Sequence, residues 1–115
     1  MTIDKTLLAG STATHILKLL DGQDMYGYQI IEELARRSDN TFQLKAGTLY
    51  PLLHGLEKKG LLESYEQNAD SARIRKYYRL TGKGQKHLKE KTKEWQEYSS
   101  AVSKVLKGGL ACELF

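Results

Sequence analysis

The side chains best suited to chemistry in this chain are cations, and they are bunched. Between Ser71 and Lys93 lie Arg73, Arg75, Lys76, Arg79, Lys83, Lys86, Lys89, Lys91 and Lys93, against Glu90 alone. Nine positive charges less one negative leave +8 in this stretch, although the whole chain carries only +4. Residues 1–60 hold seven Lys/Arg and seven Asp/Glu and sum to zero. A local field of this sign suits a polyanion such as nucleic acid. A solvated charged surface is the plainer reading, and charge alone does not separate the two. Within the stretch, Arg73, Arg75, Tyr77 and Arg79 alternate onto one face of a strand pattern, with Ile74, Tyr78 and Leu80 on the other. One face can then pack while the other offers guanidinium forks to phosphate or to a guanine edge.

A second group of polar residues sits on a helix pattern just upstream. Leu49, Leu52, Leu53 and Leu56 fall at i, i+3, i+4 and i+7, a single apolar stripe over about Ala46 to Lys59. Gly47, Pro51, His54 and Lys58 lie opposite, flanked by Thr48 and Tyr50, and Lys45 precedes them. Small and polar groups near a helix start suit entry into a DNA major groove, and the helix N-terminus itself favours a phosphate.

Other chemistries are excluded by composition and spacing. A single cysteine, Cys112, forms no internal disulfide framework, which makes a reducing cytoplasm the expected compartment. One Cys and three scattered His lack metal-ligand spacing, so neither metal nor other cofactor is expected. No catalytic triad or Cys–His pair is legible, and His15, His54 and His87 fall on three separate elements. Thr81-Gly82-Lys83-Gly84 lacks the full spacing of a phosphate-binding loop. No enzyme is expected. Cys112 follows two glycines, and no basic residue lies beyond Lys107 to lower its pKa, which argues against a redox sensor. Apolar runs are far shorter than the roughly 20 residues of a membrane span, and no signal-like segment opens the chain.

The elements that must hold these groups follow from periodicity. Leu7, Leu8, Ala13, Ile16, Leu17 and Leu20 predict a helix over 6–20, with Asp4 as N-cap and Asp21-Gly22 as its end. A second helix runs from about Tyr26 to Arg37, with Tyr28, Ile31, Leu34 and Ala35 on one stripe and Ser38-Asp39-Asn40 as breaker. Thr41 to Leu44 reads as a very short strand or extended lead-in, with Phe42 and Leu44 inward. Pro51 falls within the first two turns of the third helix, and Gly60 fits its C′ position. The period then changes to two around a polar turn at Asn68–Ser71, a β-hairpin. Thr81 caps a long helix over about Gly82 to Lys107, stopped by Gly108-Gly109. On that helix Leu88, Trp95 and Val102 repeat every seven residues, with Tyr98 and Val105 between. The architecture is mainly α with a small β-hairpin: a winged helix-turn-helix over 1–80, a long C-terminal helix over 81–107 and a flexible tail over 108–115. A stripe left uncovered on so small a domain would be an aggregation hazard, so a homodimer is expected.

Four blocks carry a family resemblance in the right order: Met25–Ile31 (MYGYQII), Gly47–Leu53 (GTLYPLL), Leu56–Leu62 (LEKKGLL) and Arg75–Gly84 (RKYYRLTGKG). Across about residues 5–107 the chain resembles the PadR family of bacterial transcriptional regulators, and its short form is similar to the small-subfamily, multidrug-sensing repressors. The resemblance implies a dimeric repressor that binds operator DNA and releases it on meeting a small aromatic or drug-like effector. DNA-reading positions then map to Lys45, Thr48, Tyr50, Pro51 and His54, and to Arg73, Arg75 and Lys76 in the wing. The family's dimer packs the last helix on the partner's first, which here sets Leu88, Trp95, Tyr98, Val102 and Val105 against Leu7, Leu8 and Ile16. Trp95 matches a tryptophan that lines an interfacial effector cavity, with Leu8, Thr14 and His15 as walls. Thr92 and Ser99 stand where the multidrug-sensing branch has an aromatic residue and an acid, which argues against cationic planar drugs and leaves a hydrophobic effector. A Trp at a heptad position also reads as a plain interface anchor. Because winged helices also dock proteins, an interaction adaptor without specific DNA binding is the competing function.

Overall fold

The computed structural model describes residues 11–70 and 73–107. In order these form α1 (Thr12–Leu19), β1 (Met25–Tyr26), α2 (Gly27–Arg37), α3 (Ala46–Lys58), β2 (Leu62–Asp70), β3 (Arg73–Leu80) and α4 (Gly82–Leu106). Asp4, Leu7, Leu8 and Cys112 lie outside the described residues, as does the upstream part of the expected first helix. The fold is a winged helix with a long C-terminal helix, as the periodicity implies.

The core lies between the first three helices and one face of the sheet. Ile16, Leu17 and Leu20 from the first helix and its end meet Ile30 and Leu34 of α2, Leu49, Leu53 and Leu56 of α3, and Leu62, Tyr78 and Leu80 of the sheet. The α3 stripe is as expected, with Leu52 only partly buried. The α2 stripe is shifted by one residue. Gly27, Ile30 and Leu34 are buried, Ile31 is partly so, and Tyr28 stands 70% exposed. A glycine at the first position of the true stripe hides it from a hydrophobicity pattern.

Ser38 shapes the turn between α2 and α3. Its hydroxyl donates to the Leu34 carbonyl (2.8 Å) and accepts from the Phe42 N–H (2.9 Å). Asp39 and Asn40 adopt left-handed φ values of 50° and 63°, tolerable because their short polar side chains suit that region. Thr41–Leu44 forms no strand, but Phe42 and Leu44 do pack on the core. Arg36 and Arg37 both bond Glu33 (2.7 and 2.9 Å), which holds that carboxyl at about 2.

The hairpin is one part of a three-stranded antiparallel sheet with order β1-β3-β2. Met25 pairs with Tyr78 and Tyr26 with Tyr77, while β2 pairs with β3 from Leu62↔Leu80 outward. A two-residue strand has no period to detect, and its second residue, Tyr26, falls where the sequence predicts the start of the second helix. Gly60 takes a φ of +77° just after α3. The Thr81 hydroxyl accepts from the Gly84 N–H (3.0 Å), capping α4 as expected, and donates to the Gly60 carbonyl (2.7 Å). This bond joins the end of α3 to the start of α4.

Gly84 is buried where α4 crosses the chain after α3. A Cβ there would overlap the Leu61 carbonyl and come 2.7 Å from Leu80 Cδ1. Because the nearest obstacle is backbone, the strain cannot be relieved by a rotamer change. Gly84→Ala should lower stability by about 1–3 kcal/mol, measured by urea unfolding. An unchanged midpoint would show that α4 can slide.

Candidate nucleic-acid interface

Helix α3 is preceded by its N-cap Lys45, whose backbone is extended and whose side chain makes no capping bond. The N–H groups of Thr48 and Leu49 bond the Lys45 carbonyl (3.0 and 2.9 Å), and Lys45 to Thr48, at the positive end of the helix dipole, are exposed. Lys45, Thr48, Tyr50, Pro51 and His54 are all exposed, and Leu49 and Leu53 anchor the same helix in the core. Pro51 lacks the N–H that would pair with the Gly47 carbonyl, and Gly47 has open space around it.

A groove of about 470 Å³ lies between this helix and the wing. Its walls are Tyr26, Gly27, Tyr28 and Glu32 from β1–α2, Tyr50 from α3, and Arg73 to Lys76 from β3. The structure thus brings Tyr50 together with Arg73, Arg75 and Lys76. Lys45, Thr48, Pro51 and His54 lie outside that groove, along the exposed side of α3. Two further side chains, Tyr28 and Ile74, line the groove. The sequence pattern places Tyr28 on the apolar stripe of α2 and Ile74 on the packing face of the hairpin, yet Ile74 is 64% exposed and both border the groove. Ile74 is on the expected face, but β3 outruns the core there. A mark of this was available in the sequence, since Ile74 stands between two arginines.

The other face of the sheet is not the bare cationic strip that alternation suggests. Arg79 is tied to Asp24 (3.1 Å) and lies near Glu63 (3.7 Å), with its guanidinium 4.9 Å from the Tyr65 ring. Asp24 also accepts the Tyr65 hydroxyl (2.7 Å), which raises the Tyr65 pKa. Arg75 lies over the Tyr26 ring at 4.3 Å. Tyr77 sits between Tyr26 and Tyr65, edge-on to the first and stacked on the second. Arg79 is thereby committed within the protein, whereas Arg73, Arg75 and Lys76 all border the groove.

The long helix carries a second surface. Trp95 and Tyr98 are 53% and 59% exposed, 5.7 Å apart, and border a groove of about 530 Å³ with Ala13, Thr14, His15, Lys59, His87 and Lys91. Thr14, His15 and Trp95 therefore meet as expected. Thr92 and Ser99 do not line the groove, and Leu8 is outside the described residues. Two expected interface residues need correction. Ile16 and Leu88 are buried in the chain's own core and offer no surface to a second copy. The heptad stripe begins inside the domain and emerges only at Trp95, because α4 leaves the body after packing on α1. Val102 is half-buried and Val105 exposed.

Comparison with known proteins adds the decisive observation: residues 16–90 match the transcriptional regulator PadR-like family. The chain belongs to that family. It is 36% identical over 88 residues to the transcriptional regulator Rv3488 of Mycobacterium tuberculosis, covering 76% of this chain and 78% of that protein. A transcriptional regulator from Clostridium thermocellum superposes with a TM-score of 0.79 at 34% identity, over 86% of this chain and 96% of that one. A PadR family regulator from Eggerthella lenta gives 0.78 at 34% identity, over 89% and 87%. PadR regulators bind DNA and are not enzymes, so this chain is a transcriptional regulator. No helix among the described residues is long and apolar enough to cross a membrane.

His15 lies between the Trp95 groove and the segment that leads into α3. Its ring stacks on Phe42 (4.8 Å, 23°) ahead of α3, and its Nδ1 is buried without a hydrogen-bond partner among the described residues. Burial lowers its pKa below 6.5. The unfolded chain then binds this proton at a higher pH than the folded one, so stability should fall as pH drops below 6.5 until the folded value is passed. His15→Phe should reduce the drop in melting temperature between pH 7 and pH 5. An identical drop in both proteins would place the sensitivity elsewhere.

Proposed function

We propose that this PadR-family chain is a homodimeric repressor that reads an inverted-repeat operator with α3 in the major groove and the β2–β3 wing on flanking backbone. The observation that carries the reading is the shared groove of Tyr50 with Arg73, Arg75 and Lys76. Lys45, Thr48, Pro51 and His54 extend the same exposed surface along α3. In this reading the wing cations take phosphates and the α3 side chains take base edges. The part of α4 that carries Trp95, Tyr98, Val102 and Val105, together with Leu7 and Leu8, covers the partner. Two-fold symmetry sets the half-sites about one helical turn apart.

Selection from a random duplex library tests this. The expected product is an imperfect palindrome, bound with affinity that falls steeply as salt rises. Arg73→Ala and Lys76→Ala should weaken binding to every duplex and flatten the salt slope by about one each. Tyr50→Ala and His54→Ala should instead lower discrimination between selected and random DNA. Salt-insensitive or absent binding would leave the wing as a protein-docking surface, the adaptor function. A 13 kDa species by light scattering at micromolar concentration would overturn the dimer.

The Trp95 groove supports a small aromatic or hydrophobic effector. Trp95 and Tyr98 offer ring faces for stacking, and Lys59, Lys91 and His87 border them, while Glu94 is near Lys91 (3.4 Å). As the only tryptophan, Trp95 reports its own occupancy. Planar apolar compounds should quench its fluorescence and shift operator affinity by roughly 5- to 150-fold. Trp95→Ala should lose that response and still bind DNA as a dimer. Collapse of the variant to unfolded monomer would make Trp95 a packing anchor.

A further inference from the structure

We infer that the Tyr26–Gly27 step is a positioning element that holds one DNA contact of the recognition helix and one of the wing, an inference that rests on the operator-binding reading. These two neighbours each touch a different reader. Gly27 is the first residue of α2 and is buried, because the phenol of Tyr50 lies against it. A Cβ built at Gly27 would overlap the Tyr50 hydroxyl and come 2.8 Å from Cζ and 3.2 Å from Cε1. Any side chain at position 27 must push the Tyr50 ring out of its seat. Tyr26, one residue earlier, presents its ring to the Arg75 guanidinium at 4.3 Å.

The step itself is held from both sides. Tyr26 pairs with Tyr77 across the β1–β3 ladder, and its ring meets that of Tyr77 edge-on at 5.5 Å. Its N–H donates to Gln29 Oε1 (3.1 Å), which fixes the first turn of α2. Tyr50 and Arg75 project from elements that face each other across the groove. Both are long side chains that would otherwise sample several rotamers, and ordering them on binding would cost affinity. The bare Cα of Gly27 and the ring of Tyr26 order both in advance, from a single backbone point.

Two double-mutant cycles test this, read on selected and random duplexes. Gly27→Ala should lower discrimination on the order of tenfold, the scale of one lost base contact, and should add nothing in a Tyr50→Ala background. Tyr26→Ala should weaken binding to both duplexes, Tyr26→Phe should not, and Tyr26→Ala should add nothing in an Arg75→Ala background. Additive effects in either cycle would overturn the inference. If Gly27→Ala fails to fold, Gly27→Ala/Tyr50→Ala must fold and bind like Tyr50→Ala alone, and its failure would equally overturn the inference. A readout without DNA separates this from the operator reading: Tyr50→Ala should move the Gly27 amide resonance. A wild-type protein that binds no duplex overturns the operator reading and this inference with it, whereas DNA binding with an unmoved Gly27 amide overturns the inference alone.

Discussion

Most of the interface hangs on the two-residue pairing of β1 with β3. A lone hairpin is marginally stable in water, and its tip would wander relative to the rest of the domain. Met25↔Tyr78 and Tyr26↔Tyr77 turn the hairpin into a three-stranded sheet whose third strand runs straight into α2. The wing and the helix-turn-helix therefore share backbone. Met25 and Tyr78 are also buried in the core, so apolar packing supports the ladder at the same point.

Around that pairing the two faces of the sheet divide the work. The inner face passes from Leu80 and Tyr78 in the core to Lys76 and Ile74 in the groove. The outer face carries a chain of contacts from Arg75 through Tyr26, Tyr77 and Tyr65 to Arg79, closed by Asp24. Each link is worth little where it is exposed, yet together they give a narrow hairpin a second packed side. The local +8 thus overstates what is free to meet a polyanion, since Arg79 has an acid and a ring as partners.

The two candidate ligand surfaces are linked through α1. His15 borders the Trp95 groove and stacks on Phe42, which precedes α3. The Phe42 backbone is in turn held by Ser38 at the end of α2. The groove between α1 and α4 therefore lies one side chain from the segment that leads into α3.

The helices, the hairpin and their order were legible because their periods repeat over several turns or strand residues. The α3 stripe, the Thr81 cap and the cations at 73–76 could be read directly, and the four family-like blocks pointed to a PadR regulator. Three things waited for the tertiary structure. β1 is too short to show a period. The α2 stripe begins with a glycine, so Tyr28 looked like core when it faces the groove. Ile16 and Leu88 sit on patterns that continue to residues outside the core, and no periodicity says where a helix leaves the body. One-dimensional patterns record which side of an element is apolar. What covers that side, and which cations already have partners such as Asp24, depends on residues distant in sequence, and only folding brings those together.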